Sequence, residues 1–222
     1  MRISPWIMSV SAGIFLLAGV AVAEEKAKEA AHSGFLGNAY SKLKDVESPS
    51  GEKAKRWIAP SVTPGKYEAL LIDKTVLYPE PKGTAQASLA TLREISAYLD
   101  EALRRELAGV VPLVAEPGPK TLRLRPAITA IAAKDMGLKP YQFLPIAFIA
   151  TGGKTAKKAS LATEYEIQDV DSGEVVGAGM RESAGQELKS PTDKLTLDNV
   201  KPAIDLWAKD ARAFIEAEKL RK

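Results

Sequence analysis

The chain has no cysteine and a single histidine, His32, in 222 residues, and aromatic residues make up only 6% of it. Without a thiol there is no disulfide, no thiolate nucleophile and no Cys-ligated zinc, so an oxidising compartment finds little to oxidise beyond methionine. One histidine excludes a two-histidine zinc site, and with no serine-containing nucleophile elbow an acyl-transfer triad lacks its parts. No strong excess of either charge is present: 31 Lys+Arg stand against 28 Asp+Glu, a net +3. That balance does not mark a nucleic-acid or anionic-membrane partner. Long apolar runs are also missing. The N-terminal one, Ile7 to Val20, has about fourteen residues, short of the ~20 that a bilayer-spanning helix needs. Packing alone must hold the fold, and a chain of this size buries roughly 70% of its unfolded surface, enough for one unstapled domain.

What the N-terminus does have is an export signature: Arg2, the apolar run, then the small residues Ala21 and Ala23 ahead of Glu24 and Glu25. Residues 1–23 are therefore expected to be a cleavable signal peptide, cut between Ala23 and Glu24, that delivers the protein to the periplasm. Leu17-Ala18-Gly19 is what precedes the acylated cysteine of a bacterial lipoprotein, but Val20 fills the acceptor position. A thioether to glycerol needs a thiol, so no lipid anchor is expected.

Residues 24–58 read as a flexible spacer and docking strap. Glu24 to Ser33 is charged and alanine-rich, and GFLGNAYSKLK then clusters Phe35, Leu36, Tyr40 and Leu43 before a polar stretch, ESPSGEKAK. Residues 59–222 read as a single α+β domain. Tyr67 to Tyr78 mixes β-formers and predicts a first strand, buried on its Leu70, Ile72 and Val76 side and stopped by Pro79. From about Ala85 to Leu107 the apolar residues Leu89, Leu92, Ile95, Leu99, Leu103 and Leu107 recur at helical spacing. A short strand is expected at Val110 to Ala115. Another follows in TLRLRPAITAI, where Pro126 marks an edge or a bulge. FLPIAFIA, 143–150, reads as a covered strand, though a buried helix has the same pattern. ASLATEYEIQDV and EVVGAGMRE flank Asp171-Ser172-Gly173 as a half-solvated hairpin, Leu161, Thr163, Tyr165 and Ile167 inward, Glu164, Glu166 and Gln168 outward. A second amphipathic helix starts near Thr196 to Asp198, with Val200, Ile204, Trp207, Ala211, Phe214 and Ile215 on its stripe. The order predicts a two-layer α+β fold: a mostly antiparallel sheet of about five or six strands with two main helices on one face.

The motifs that carry chemistry are incomplete. TGGKT, 151–155, lacks the glycine five positions before its last one that a phosphate loop needs; Phe148 stands there. Asp169, Asp171 and Glu174 supply oxygens at a turn, but Val175 to Met180 contains no acid to close a calcium loop. Arg123 and Arg125 with Lys154, Lys157 and Lys158 make a basic group, with Tyr141 and Phe143 as stacking partners, and no nucleic-acid module surrounds them. Glu164 and Glu166 share a strand face roughly 7 Å apart, a separation that two-carboxylate glycosidases use and that exposed strands carry routinely. No enzyme activity, metal or cofactor is expected.

Gly34-Phe35-Leu36 with Tyr40-Ser41-Lys42-Leu43, the Tyr67-to-Val76 strand, Pro117-Gly118-Pro119 leading to Leu122-Arg123-Leu124-Arg125-Pro126-Ala127-Ile128-Thr129, the Asp169-to-Glu174 turn and Asp205-Leu206-Trp207-Ala208 come in a telling order. Together they resemble a family of exported bacterial envelope proteins, mostly lipoproteins, known as a domain of unknown function. The resemblance implies an envelope address and no particular activity; Val20 departs from its Leu-Ala-Gly-Cys pattern. The reading is thus a non-catalytic periplasmic or envelope-associated binding or scaffolding protein. Its partner would be an envelope protein or outer-membrane component rather than a nucleic acid, met through Phe35, Leu36, Tyr40 and Leu43 and the edge near Arg123 and Arg125. The alternative is a periplasmic carrier of an apolar or lipid-like ligand, with PYQFLPIAFIA lining a cavity between sheet and helix.

Overall fold

The structure, a computed structural model, describes residues 32–81, 83, 87–134, 157–188 and 193–220. Val20, Ala21, Ala23 and Glu24, at the expected signal and its cleavage point, lie outside them, as do Tyr141, Phe143, Lys154, the TGGKT bend and the apolar segment 143–150.

A short 3-10 turn, Gly37–Lys42, leads into β1 (Lys44–Glu47) and β2 (Lys53–Ile58). Then come β3 (Ala69–Ile72), β4 (Val76–Leu77), helix α1 (Leu89–Leu107), β5 (Leu113–Val114), β6 (Thr121–Lys134), β7 (Lys157–Asp169), β8 (Val175–Leu188) and helix α2 (Leu197–Leu220). The strands form one sheet in the order β1-β2-β8-β7-β6-β3-β5, with β4 also paired to β6. Pairing from β1 through β6 is antiparallel, whereas β3 runs parallel to both β5 and β6, and β4 parallel to β6. The sheet is therefore mixed and eight-stranded, larger than the five or six mostly antiparallel strands that the sequence suggests.

The difference has two sources. Residues 44–58, which read as spacer and strap, form the β1–β2 hairpin on the free side of β8. Their lysines suit that place, because a charged outer strand discourages pairing with another chain. Residues 67–78 divide into β3 and β4, and the chain between β3 and β5 crosses through α1, a connection that makes those two strands parallel. Leu70 and Ile72 are buried as expected, but Val76 is 45% exposed.

Pro126 stands inside the sheet rather than at an edge. The β3 ladder ends at Ile72 opposite Leu124 and the β4 ladder begins at Val76 opposite Ala127. Pro126 thus falls where residues 73–75 loop away and no ladder donor is called for. A register shift follows between Ile128 and Ala130.

The β7–β8 hairpin forms where the sequence places it. Gly173 turns the chain with φ 72°, and the Asp169 carboxylate accepts from the Asp171 and Ser172 amides at 2.9 and 3.2 Å. Ser88 caps α1 by accepting from the Thr91 amide at 3.0 Å. That cap starts the helix at Leu89, which is itself exposed, while Ile95, Leu99, Leu103 and Leu107 are buried. In α2, Val200, Ile204, Trp207 and Ala208 are buried. One core cluster joins both helices to Leu70, Ile72, Ile128 and Leu161, so the two helices cover the same face of the sheet. Asp205 ties them together, accepting from Tyr98 at 2.7 Å and Arg105 at 2.9 Å.

Candidate functional site

The strap closes over the face opposite the helices. Leu36 and Ala39 are buried against Ala178 of β8, with Phe35, Tyr40, Leu43 and Trp57 around them. Beneath it lie Glu164 and Glu166, which the alternation of β7 placed on a solvated face and which are only 2% and 8% exposed. The Tyr40 hydroxyl donates to Glu164 at 2.5 Å and Arg125 to Glu166 at 2.6 Å. Burial and then the bond to Glu164 push the Tyr40 phenol up to about 12. Burial raises the Glu166 carboxyl against the opposing pull of Arg125. The His32 ring stacks on Tyr40 at 4.0 Å and is lowered by burial, although Glu164 acts the other way.

Phe35 meets Tyr78 edge-on at 5.6 Å, and the Arg125 guanidinium lies 5.9 Å from its ring centre. The six residues singled out by sequence therefore fall on one region of the sheet. Arg123 Nε binds both oxygens of Asp73, at 2.9 and 3.0 Å. Both arginines belong to β6, an interior strand, so the edge that the sequence suggested is not where they are. Geometrically this face is a clasp: each carboxylate is committed to a strap or sheet partner.

The helix side is different. Between the sheet and α2 lies a cavity of about 1180 Å³, slightly above the usual range for small-molecule sites. Leu70, Leu103, Leu107, Leu122 and Leu124 line it toward β3 and α1; Trp207, Ala211, Phe214 and Ile215 contribute from α2. At β8 the sequence makes room for the side chains of its wall, Tyr165, Ile58 and Ile167. Gly177 and Gly179 are two residues apart and so bare the same face, and a Cβ at Gly179 would sit 2.5 Å from the Tyr165 ring.

The β2–β8 side of the cavity is polar, lined by Arg56, Tyr165, Arg181 and Asp210. Arg181 and Asp210 are buried, and Arg181 donates to Asp210 and to Glu52, each at 2.6 Å. Asp210 also accepts from the Ser50 amide at 2.9 Å and hydroxyl at 2.8 Å. Burial works to raise the Asp210 carboxyl, but the bonds from Arg181, Ser50 and Ser48 prevail and hold it below the ordinary value. Burial pushes the Tyr165 phenol up to about 12. Arg56 lays its guanidinium over Phe214 at 4.1 Å.

None of these four polar residues stands out in the sequence, because β2, β7, β8 and α2 contribute them from distant positions. The one local signal is the Gly-x-Gly spacing at 177 and 179. PYQFLPIAFIA, the segment expected to line a cavity, lies outside the described residues.

Comparison with known proteins places the chain in a family. The chain is 31% identical over 188 residues, 82% of its length and 84% of the relative's, to "Uncharacterized lipoprotein YdcL" of Escherichia coli strain K12, and equally to that of strain O157:H7. Among solved structures, a PelC dodecamer from Paraburkholderia phytofirmans matches at TM-score 0.41 and 11% identity, over 72% of this chain and 95% of that one. Protein XCC0632 from Xanthomonas campestris matches at TM-score 0.41 and 13% identity, over 72% and 93%. The family model described as "Protein of unknown function (DUF3313)" matches residues 31–211, and the chain belongs to that family.

Proposed function

We propose that this is a non-catalytic binding protein of the bacterial envelope, and that it holds an apolar, lipid-like molecule between sheet and helices. The carrying observation is the cavity of about 1180 Å³ with leucines along one wall and polar groups along the other. A concave site of that size with one apolar wall and a few polar groups is the form that small-molecule sites take. The relatives named lipoproteins support an envelope address, and the Ala21/Ala23 signature supports periplasmic release without an anchor at Val20. The clasp face favours a protein partner less, since Leu36 is 3% exposed and Tyr40 is bound to Glu164.

Native mass spectrometry of gently purified protein tests the proposal. A co-purifying mass that organic solvent extracts as lipid is the expected result. Bare protein that also fails to bind a fluorescent fatty acid would remove the ligand from the account.

A further inference from the structure

Resting on the carrier reading above, three donors on the polar wall of the cavity have a property in common. The Nε of Arg181 is buried without a hydrogen-bond partner. Among the described residues, the Arg56 side chain makes no ion pair or hydrogen bond, only its contact with the Phe214 ring. The Tyr165 hydroxyl likewise has no acceptor among them. It lies close enough to Arg56 and Arg181 to feel both charges. All three residues line the same cavity.

A buried donor without a partner is costly, and the Arg181 Nε is one; Arg56 and Tyr165 are half-buried beside it on the same wall. Asp210 and Glu52 are both engaged by Arg181, and Asp210 by Ser50 as well, so neither carboxylate bonds the Arg56 guanidinium. The missing complement is a group rich in acceptors and negatively charged. A neutral hydrocarbon would fill the leucine end and leave this wall unsatisfied.

We infer that the cavity takes a single-chain anionic amphiphile, its carboxylate or phosphate received by Arg56, Tyr165 and Arg181 and its acyl tail lying toward Leu103, Leu122 and Leu124. The Arg56 guanidinium, free of other bonds, is suited to receive two oxygens together, while Arg181 offers only its Nε because its terminal nitrogens hold Asp210 and Glu52. Leucines make up the wall toward β3 and α1 and the polar groups the opposite one, so the two walls fix the direction of the ligand.

The test displaces the neutral apolar dye N-phenyl-1-naphthylamine from the exported full-length mature protein, stripped of bound material on a hydrophobic resin. The competitors are hexadecanoate, lysophosphatidate and hexadecan-1-ol. At least one anion is expected to displace the dye at about tenfold lower concentration than the alcohol, the ratio that one charged hydrogen bond supplies. Comparing the two anions tells a carboxylate head from a phosphate head. Arg56→Gln and the isosteric Tyr165→Phe should each shrink the anion-to-alcohol ratio, whereas Arg212→Gln, outside the cavity, should keep it. Melting curves establish that each variant is folded. Equal displacement by anion and alcohol, or a ratio unchanged in both cavity variants, overturns the anionic headgroup while leaving apolar binding in place. Absence of any dye binding overturns the carrier reading itself.

Discussion

Replacing Asp210 by Ala removes one arm of the most buried ion pair described. Arg181 is 5% exposed and Asp210 8%, and their 2.6 Å bond is shielded by the turn that carries Ser48 and Ser50. Leaving one member of such a pair alone usually costs about 3–5 kcal/mol, because the survivor remains buried with its charge. Here Arg181 retains Glu52 at 2.6 Å, so the loss belongs at the low end, about 3 kcal/mol, or a melting point lower by about 6–12 °C for a chain of this size. Urea titration measures it as a fall in midpoint with an unchanged slope. Glu52→Ala should cost about 1 kcal/mol, since Glu52 is itself partly exposed and Asp210 keeps its bond to Arg181. The paired substitution Arg181→Met with Asp210→Leu removes both charges and should cost less than Asp210→Ala alone. An Asp210→Ala protein within about 0.5 kcal/mol of the parent, or a paired variant worse than either single one, would refute the reasoning.

Other perturbations read other parts of the structure. Tyr40→Phe leaves the Glu164 carboxylate buried without the 2.5 Å bond and should cost about 2–3 kcal/mol in the same titration; no change would mean that the strap does not depend on this bond. Gly179→Ala sets a Cβ 2.5 Å from the Tyr165 ring, and overpacking of that kind should cost about 1–3 kcal/mol and raise the melting curve of no variant. Tyr40 and Tyr165 titrate near 12 in the folded protein against an ordinary 10. A phenol raised in this way holds its proton after the unfolded chain has lost it, so its stabilisation is complete below pH 10 and is lost as pH rises toward 12. Stability should therefore decline across that window, and the decline should be shallower in Tyr165→Phe; an identical slope would show that the hydroxyl is not sheltered.

Local periodicity carried much of the fold into view. The stripe from Leu92 to Leu107 and the turn at Gly173 are determined by neighbours in sequence, and both elements stand where those patterns put them. The helix start differs because Ser88 offers a better cap than the residues before it. β1 and β2 were hidden because their lysines give them the composition of a polar lead, and only pairing with β8 makes them strands. The same long-range docking inverts Glu164 and Glu166 from solvated to buried, a change no periodicity can report. The contact that buries Glu164 joins residues 124 positions apart. The strap residues were legible as a cluster, and a cavity between sheet and helix was expected as the alternative, but not its polar wall, which draws on Arg56, Tyr165, Arg181 and Asp210 across four elements.

The most direct measurement is a stoichiometric titration of the stripped protein with a fluorescent acyl probe, run beside a variant whose cavity is filled by Ala54→Phe and Ala211→Trp. Both alanines line the cavity, so the larger side chains take up ligand space, and the added apolar contacts offset their own strain. The account predicts one probe bound per chain in the parent, and binding weakened at least about tenfold in the filled variant with its melting point kept. A parent that binds no probe, or a folded, filled variant that binds as the parent does, would contradict it.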